Sequence, residues 1–289
     1  MPLSRIISGI VGVILALGMI LLGGWYFTFA LGTIVYLGHR EYVQLVRAKN
    51  IIPSAKTTIV LSLILLAISN VSSSLADAIL PLAGTWICFY LLFKPKMATI
   101  ADISASILGL FYIGYLPTFW IRLRAIDNAT YSNLPLGGYW PDSWSYFPQL
   151  PQGMTITFLA FCCIWATDIG AYIFGKILGR IPLSEISPKK TVEGSVFGIT
   201  GSVLVGTIGS WFLQWPTWPA TGIVLGLLIG IASLLGDLTE SLMKRDAGVK
   251  DSGTLIPGHG GILDRTDSYI FTGPIVFYFV TLLLPLLSY

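Results

Sequence analysis

Charge is what this chain has least of. Asp, Glu, Lys and Arg make up 11% of its 289 residues, and 54% are hydrophobic; soluble domains carry roughly 25% charged residues. That shortage leaves no room for a soluble globular domain. Cysteine is scarce too. Cys88, Cys162 and Cys163 all fall inside apolar stretches, where a free thiol behaves as a small hydrophobe, so neither disulfides nor a thiolate metal site is expected. Only two histidines are present. His259 has no second His or Cys near it and reads as a hydrogen-bonding residue of a substrate-binding loop before a metal ligand. The net charge of +3 says little by itself, and no nucleic-acid partner is expected.

What the chain has in quantity is long apolar runs, at 4–23, 25–39, 57–71, 75–93, 98–121, 153–175, 195–214, 219–243 and 269–288. Runs of about 20 residues suit transmembrane helices and not the short alternating strands of a barrel. The expected fold is all-α, a polytopic integral membrane protein with about nine transmembrane helices. No small-residue cleavage site separates the first run from the second, so it reads as a retained helix. With the N-terminus cytoplasmic, fifteen of the seventeen basic residues fall on the cytoplasmic side, and only Arg122 and Arg124 fall outside; the positive-inside rule favours that orientation. The chain then divides into N-terminal membrane helices (1–121), an external aromatic and Pro-rich loop (122–152), and a membrane domain (153–289) whose site faces the cytoplasm. The expected location is the cell (inner) membrane, with the lipid bilayer itself as a partner. Tyr139, Trp140, Trp144, Tyr146 and Pro148 of the external loop read as an interfacial anchor before a substrate site. Asp77 and Asp102 sit near helix ends and read as structural.

The charge that exists is concentrated. Six of the nine acidic residues after position 144, four basic residues and one histidine lie in the stretch from Gly236 to Ser268, GDLTESLMKRDAGVKDSGTLIPGHGGILDRTDS. Asp237, Glu240, Ser241, Lys244 and Arg245 fall on one helical face. Gly248, Gly253, Pro257, Gly258, Gly260 and Gly261 then forbid regular structure and leave a loop whose backbone can approach a ligand. Asp264, Arg265 and Asp267 close the segment.

Two further polar groups fall on the same expected face. Asp168, Ala171, Tyr172, Gly175 and Lys176 form a helical stripe, and an acid inside a membrane span is a functional candidate; the competing reading is a plain Asp168–Lys176 pair. Ser187, Lys189, Lys190 and Thr191, followed by Glu193, place hydroxyls and cations at a helix start, a setting suited to phosphate, although paired lysines beside a membrane also serve topology alone. Carboxylates for a divalent cation and cations for phosphate together suggest metal-assisted phosphate chemistry.

The run Ser241-Leu-Met-Lys-Arg, Lys250-Asp251-Ser-Gly253, Pro257-Gly-His-Gly-Gly261 and Ile-Leu-Asp264-Arg265-Thr-Asp267-Ser268 resembles the signature of the phosphatidate cytidylyltransferase (CDP-diacylglycerol synthase) family. SPKKTVEG and DIGAYIFGKILGR resemble that family's other motifs in the same order. Phe197, Ile169 and Arg180 depart from residues common in the family. The resemblance covers roughly 150–289 well and the first half only as membrane helices. It implies Mg²⁺-dependent reaction of CTP with phosphatidic acid to give CDP-diacylglycerol and pyrophosphate. By the same resemblance Asp237 and Asp264 hold the metal, with room for a second metal ion. Lys244, Arg245, Lys250, Asp251 and Arg265 join them as expected catalytic residues. Asp168, Tyr172, Lys176, Ser187, Lys189, Lys190, Thr191, Glu193 and His259 form the expected substrate-binding set, while Asp168, Asp251 and Asp267 either ligate a metal or orient cations. A homodimer is left open. The competing functions are a CTP-using polyprenol kinase, which releases CDP, and an anion or phospholipid transporter, which would need matched helix interruptions in its two halves.

Overall fold

The computed structural model describes residues 3–95, 97–141, 150–256 and 260–287. In a long apolar segment the backbone N–H and C=O groups find partners only in one another, and a helix satisfies them within the segment itself. The described residues form helices and turns, with no strand beyond isolated backbone bridges. In order these are α1 (Leu3–Leu22), α2 (Gly24–Ala48), α3 (Ala55–Val71) and α4 (Ser73–Leu92). A fifth rod starts as α5 (Ile100–Gly109), widens into a π turn over Leu110–Tyr115 and ends as α6 (Thr118–Arg124). After the short α7 (Asn128–Tyr131) come α8 (Gln152–Leu178), α9 (Val192–Phe212) and α10 (Ala220–Asp246). The last rod joins α11 (Leu263–Tyr278), a π stretch (Phe279–Leu283) and α12 (Leu284–Leu286). Among the described residues six units are long and apolar enough to cross a membrane: α4, the α5–α6 rod, α8, α9, α10 and the final rod. The chain is thus an all-helical, multi-pass membrane protein.

The rods follow the apolar runs but several exceed them. α2 continues through Arg40, Glu41 and Arg47 to Ala48, α10 continues to Asp246, and α11 begins at Leu263 where its apolar run begins at 269. Arg, Lys and Glu end a hydrophobic run without ending a helix, because their helix propensities match that of Leu. Side chains set other boundaries. Ser72 Oγ accepts the Leu75 N–H at the start of α4, Thr99 and Asp102 form a reciprocal capping box on α5, and Thr191 Oγ1 accepts the Gly194 N–H at the start of α9.

Helices surrounded by lipid gain little from hydrophobic burial and associate through close packing at small residues. A Cβ on Gly194 of α9 would stand 2.7 Å from the Ala171 carbonyl oxygen of α8, and one on Gly206 would stand 2.6 Å from the Gly222 oxygen of α10. Beside Gly194, Phe197 stacks on Phe174 with ring centroids 4.3 Å apart, so the bulky residue at this departure from the family pattern fills a place between α8 and α9. A continuous apolar core that includes Phe27, Tyr112, Trp120, Ile164, Ile229 and Val276 joins the N-terminal helices to α8, α10 and α11.

The connections sort to two ends. At one end the α2–α3 turn meets the end of α10 through Lys49 and Asp246 (3.3 Å), and the Ile52 N–H donates to Asp102 (2.6 Å). At the other, Arg124 donates to the carbonyls of Ile20 (2.6 Å) and Leu21 (3.0 Å), and Tyr139 N–H donates to Leu22 (2.8 Å). Trp144, Tyr146 and Pro148 of the aromatic loop lie outside the described residues.

Candidate active site at the charged end of the bundle

α10 and α11 approach closely at Gly236, where a side chain would collide with the carbonyl oxygen of Asp267. The small residue lets two polar helix faces meet. From α10, Asp237, Glu240 and Lys244 turn towards α11, which carries Asp264 and Asp267 in its first turns. Lys244 Nζ ion-pairs with both Glu240 and Asp264, at 2.6 Å to Asp264 Oδ1. Glu240 is fully buried (0% exposed), its carboxylate paired with Lys244 and set beside that of Asp264. A buried carboxylate is costly unless paired, and here one lysine serves two of them.

Asp264 is engaged on both oxygens. While Oδ1 holds Lys244, Oδ2 accepts the Ser252 N–H (2.9 Å), the Ser252 hydroxyl (2.9 Å) and the Gly261 N–H (2.8 Å). The 247–262 loop is therefore tied to the start of α11. Gly260 makes this possible with φ of +84°, a left-handed conformation open to glycine. Asp267 is buried, its Oδ1 accepting the Ser268 N–H at 2.7 Å.

The α8–α9 loop brings the third wall. Leu183 N–H donates to the Lys190 carbonyl (2.8 Å) and Val192 N–H to that of Ile181 (2.9 Å), so the segment folds back on itself. Glu193 stiffens the fold, accepting from Arg180 N–H (3.1 Å) and Ile181 N–H (3.3 Å). Arg245 of α10 ties this loop down through Nε to the Ile186 carbonyl (3.2 Å), while its Nη1 donates to the Val249 carbonyl (3.3 Å) of the loop that follows α10. Ser187 lies in the turn, its N–H donating to Ser184 Oγ (3.3 Å). Lys190 then reaches α10 and ion-pairs with Asp237, whose side chain stays 29% exposed. Asp168 of α8 is accessible to solvent yet lies within electrostatic reach of Asp237, Lys190 and Arg265. Asp168 thus stands at the accessible margin of the charged group.

The expected site residues thus fall into three groups. Asp168, Lys190, Asp237, Lys244, Asp264 and Arg265 converge with Asp267. Thr191, Glu193, Arg245 and Ser187 build the loop that delivers Lys190. Tyr172, Lys176, Lys189, Lys250 and Asp251 are exposed and make no hydrogen bond or ion pair among the described residues, so Asp168 is not paired with Lys176. His259 lies outside the described residues. Two members were missing from the expected set. Glu240 carried a usable signal, since it stands four residues before Lys244 on the polar face. Glu41 carried none: it sits in an N-terminal helix, and it accepts hydrogen bonds from Ser252, Ile262 and Leu263.

The donor set can be tested for metal chemistry. Asp168, Asp237, Glu240, Asp264 and Asp267 form an electrostatically linked group, with Lys190, Lys244 and Arg265 as its cations. No three Asp, Glu, His or Cys side chains among the described residues form a ready metal cage. Mg²⁺ needs none, because it takes hard oxygen donors and usually binds through one or two carboxylates with substrate phosphates and water. The all-oxygen set and its carboxylate excess fit Mg²⁺ and do not fit zinc, which favours nitrogen and sulfur ligands.

A polytopic helical bundle with carboxylates and phosphate-seeking cations at one end defines a membrane enzyme of phosphate-bearing substrates. The chain belongs to the cytidylyltransferase family, whose description matches residues 3–283, and it is a nucleotidyltransferase. It is 65% identical to a phosphatidate cytidylyltransferase of Synechocystis sp., covering 100% of this chain and 99% of that protein. Identity is 41% with the chloroplastic phosphatidate cytidylyltransferase 4 of Arabidopsis thaliana, over 96% of this chain and 73% of that one. With the phosphatidate cytidylyltransferase of Bacillus subtilis it is 32%, over 96% and 97%.

Proposed function

We propose that the charged end of α8, α10 and α11 is where a cytidylyl group passes from CTP to phosphatidic acid, giving CDP-diacylglycerol and pyrophosphate. The observation that carries this reading is the interleaving of Lys190 with Asp237 and of Lys244 with Glu240 and Asp264; the full-length similarity to proteins named phosphatidate cytidylyltransferase supports the substrates.

An oxygen of the lipid phosphate attacks the α-phosphorus of CTP. A new P–O bond forms, the bond from that phosphorus to the bridging oxygen breaks, and pyrophosphate leaves with the electron pair. The attacking phosphate is already ionised at neutral pH, so the protein's share is positioning and charge stabilisation more than proton removal. Lys190, Lys244 and Arg265 supply positive charge for the phosphates. In the structure Lys190 rests on one carboxylate and Lys244 on two, and incoming phosphate offers each ammonium group a further anion. Asp237 and Asp264 are the residues proposed to hold Mg²⁺, with Glu240 and Asp267 adding negative charge behind them. A bound Mg²⁺ would polarise the phosphoryl oxygens and neutralise the leaving pyrophosphate.

Nine membrane spans with the N-terminus and the site on the cytoplasmic side complete the reading. α2, at 25 residues, spans about 38 Å and α3, at 17 residues, sits at the lower limit of about 17–25 residues for a crossing. The basic residues of the charged end support that face as cytoplasmic, where CTP arrives from water and the lipid from the bilayer.

The test is a product assay on purified protein with phosphatidic acid, Mg²⁺ and CTP labelled at the α- or γ-phosphate. α-Label in lipid and γ-label in pyrophosphate is the expected result. γ-Label in lipid with release of CDP would instead make the chain a kinase.

A further inference from the structure

Glu41 belongs to α2, more than two hundred residues from the segment it serves. Its side chain is 6% exposed. Oε1 accepts the Ile262 N–H (2.9 Å), and Oε2 accepts the Leu263 N–H (2.8 Å) and the Ser252 hydroxyl (3.1 Å). The first N–H groups of a helix have no partner inside it and are ordinarily met by the side chain of the N-cap residue. The residue at the N-cap of α11 is Ile262, and no side chain there caps the helix. Glu41 does so from another helix, placing a carboxylate where the helix dipole favours negative charge.

The same carboxylate shapes the loop. A Cβ on Gly253 would stand 2.6 Å from Oε1, and one on Gly261 would collide with Oε2, so the backbone closes on the acid at two glycines. Ser252 shares its hydroxyl between Glu41 Oε2 and Asp264 Oδ2, and Asp264 in turn holds Lys244. A hydroxyl has one proton to give, so its position depends on both acids. The connections run without a break from α2 through Ser252 and Asp264 to Lys244 on α10.

We infer that Glu41 is a positioning residue for cytidylyl transfer: it caps α11 in trans and holds Asp264 against Lys244. This rests on the proposed reaction. The test is Glu41→Gln, which keeps the shape but turns an NH₂ group towards backbone donors, measured in detergent-purified protein per folded molecule. Expected is a fall in kcat of about 10- to 100-fold, the scale of losing hydrogen bonds to a charged group, with KM for CTP changed by less than about threefold. Adding Ser252→Ala should cost little more, since both act through Asp264. Unchanged kcat with only a lower Tm, or losses that multiply in the double variant, would overturn the assignment. If Glu41→Gln does not fold, Ser252→Ala alone carries the test, with a several-fold fall in kcat expected and none overturning it. If the wild-type chain forms no CDP-lipid, the reaction is wrong, and the positioning role is then read from trypsin cleavage after Lys250. Cleavage at least about tenfold faster in Glu41→Gln supports the role; an unchanged rate refutes it.

Discussion

Arg122 and Arg124, at the aromatic end of the bundle, are buried more deeply than any cation at the opposite end, yet nothing about them asks for a ligand. Arg122 is 2% exposed; it donates to Asp77 (2.6 Å) and Ser69 (3.3 Å) and lies over the Phe119 ring at 4.5 Å. Arg124 spends its donors on Ile20, Leu21 and Asn128. At the charged end the relation is reversed. Carboxylates outnumber cations, Lys244 divides itself between two acids, one of them the fully buried Glu240, and Asp237 remains accessible. Burial alone therefore does not set the two ends apart; an excess of carboxylates sharing too few cations does.

That contrast can be broken by substitution. The largest effect is expected for Asp264→Asn, which removes a charge from the site and leaves Lys244 short of an anion; turnover should fall at least about 10³-fold, the upper range for loss of one electrostatic contributor, in a labelled-CTP assay. Lys190→Met removes one phosphate cation from a half-open position. The expected loss in kcat/KM for CTP is about 10- to 100-fold, corresponding to a charge-assisted hydrogen bond, and steady-state kinetics at varied CTP will measure it. Arg122→Met should act in the opposite sense, with kcat per folded molecule unchanged. Because Asp77 is 47% exposed and can recover water, the stability cost should stay at about 1–2 kcal/mol, read as a modest fall in Tm. Equal losses of activity in Arg122→Met and Lys190→Met would erase the distinction between the two ends.

Much of this arrangement was legible in the sequence because it is local. Apolar runs located the rods, and the i, i+3, i+7 spacing put Asp237, Glu240 and Lys244 on one face. The glycines of 248–261 announced an irregular loop, and the family resemblance placed Asp237 and Asp264 in the site. The end of α10 was legible from the helical spacing up to Arg245 and the break at Gly248, whereas α2 runs well past its apolar stretch because charged residues prolong it. Roles were harder to read than positions. Glu193 and Arg245 look like ligands in the sequence but spend their side chains on backbone groups of the loops around them. Glu41 was invisible because a hydrogen bond across 222 residues leaves no periodicity and no spacing; its neighbours Arg40 and Arg47 made it look like one more charge at a membrane surface.

The most direct test is turnover by Asp237→Asn. Asp237 is partly exposed and held by one lysine and a long 3.4 Å contact from Ser241, so its loss should leave the bundle folded. With folding matched to wild type by thermal melting, conversion of labelled CTP and phosphatidic acid to CDP-diacylglycerol should fall by at least about 10²-fold. Turnover within a factor of two of wild type would show that cytidylyl transfer does not take place at this end of the molecule.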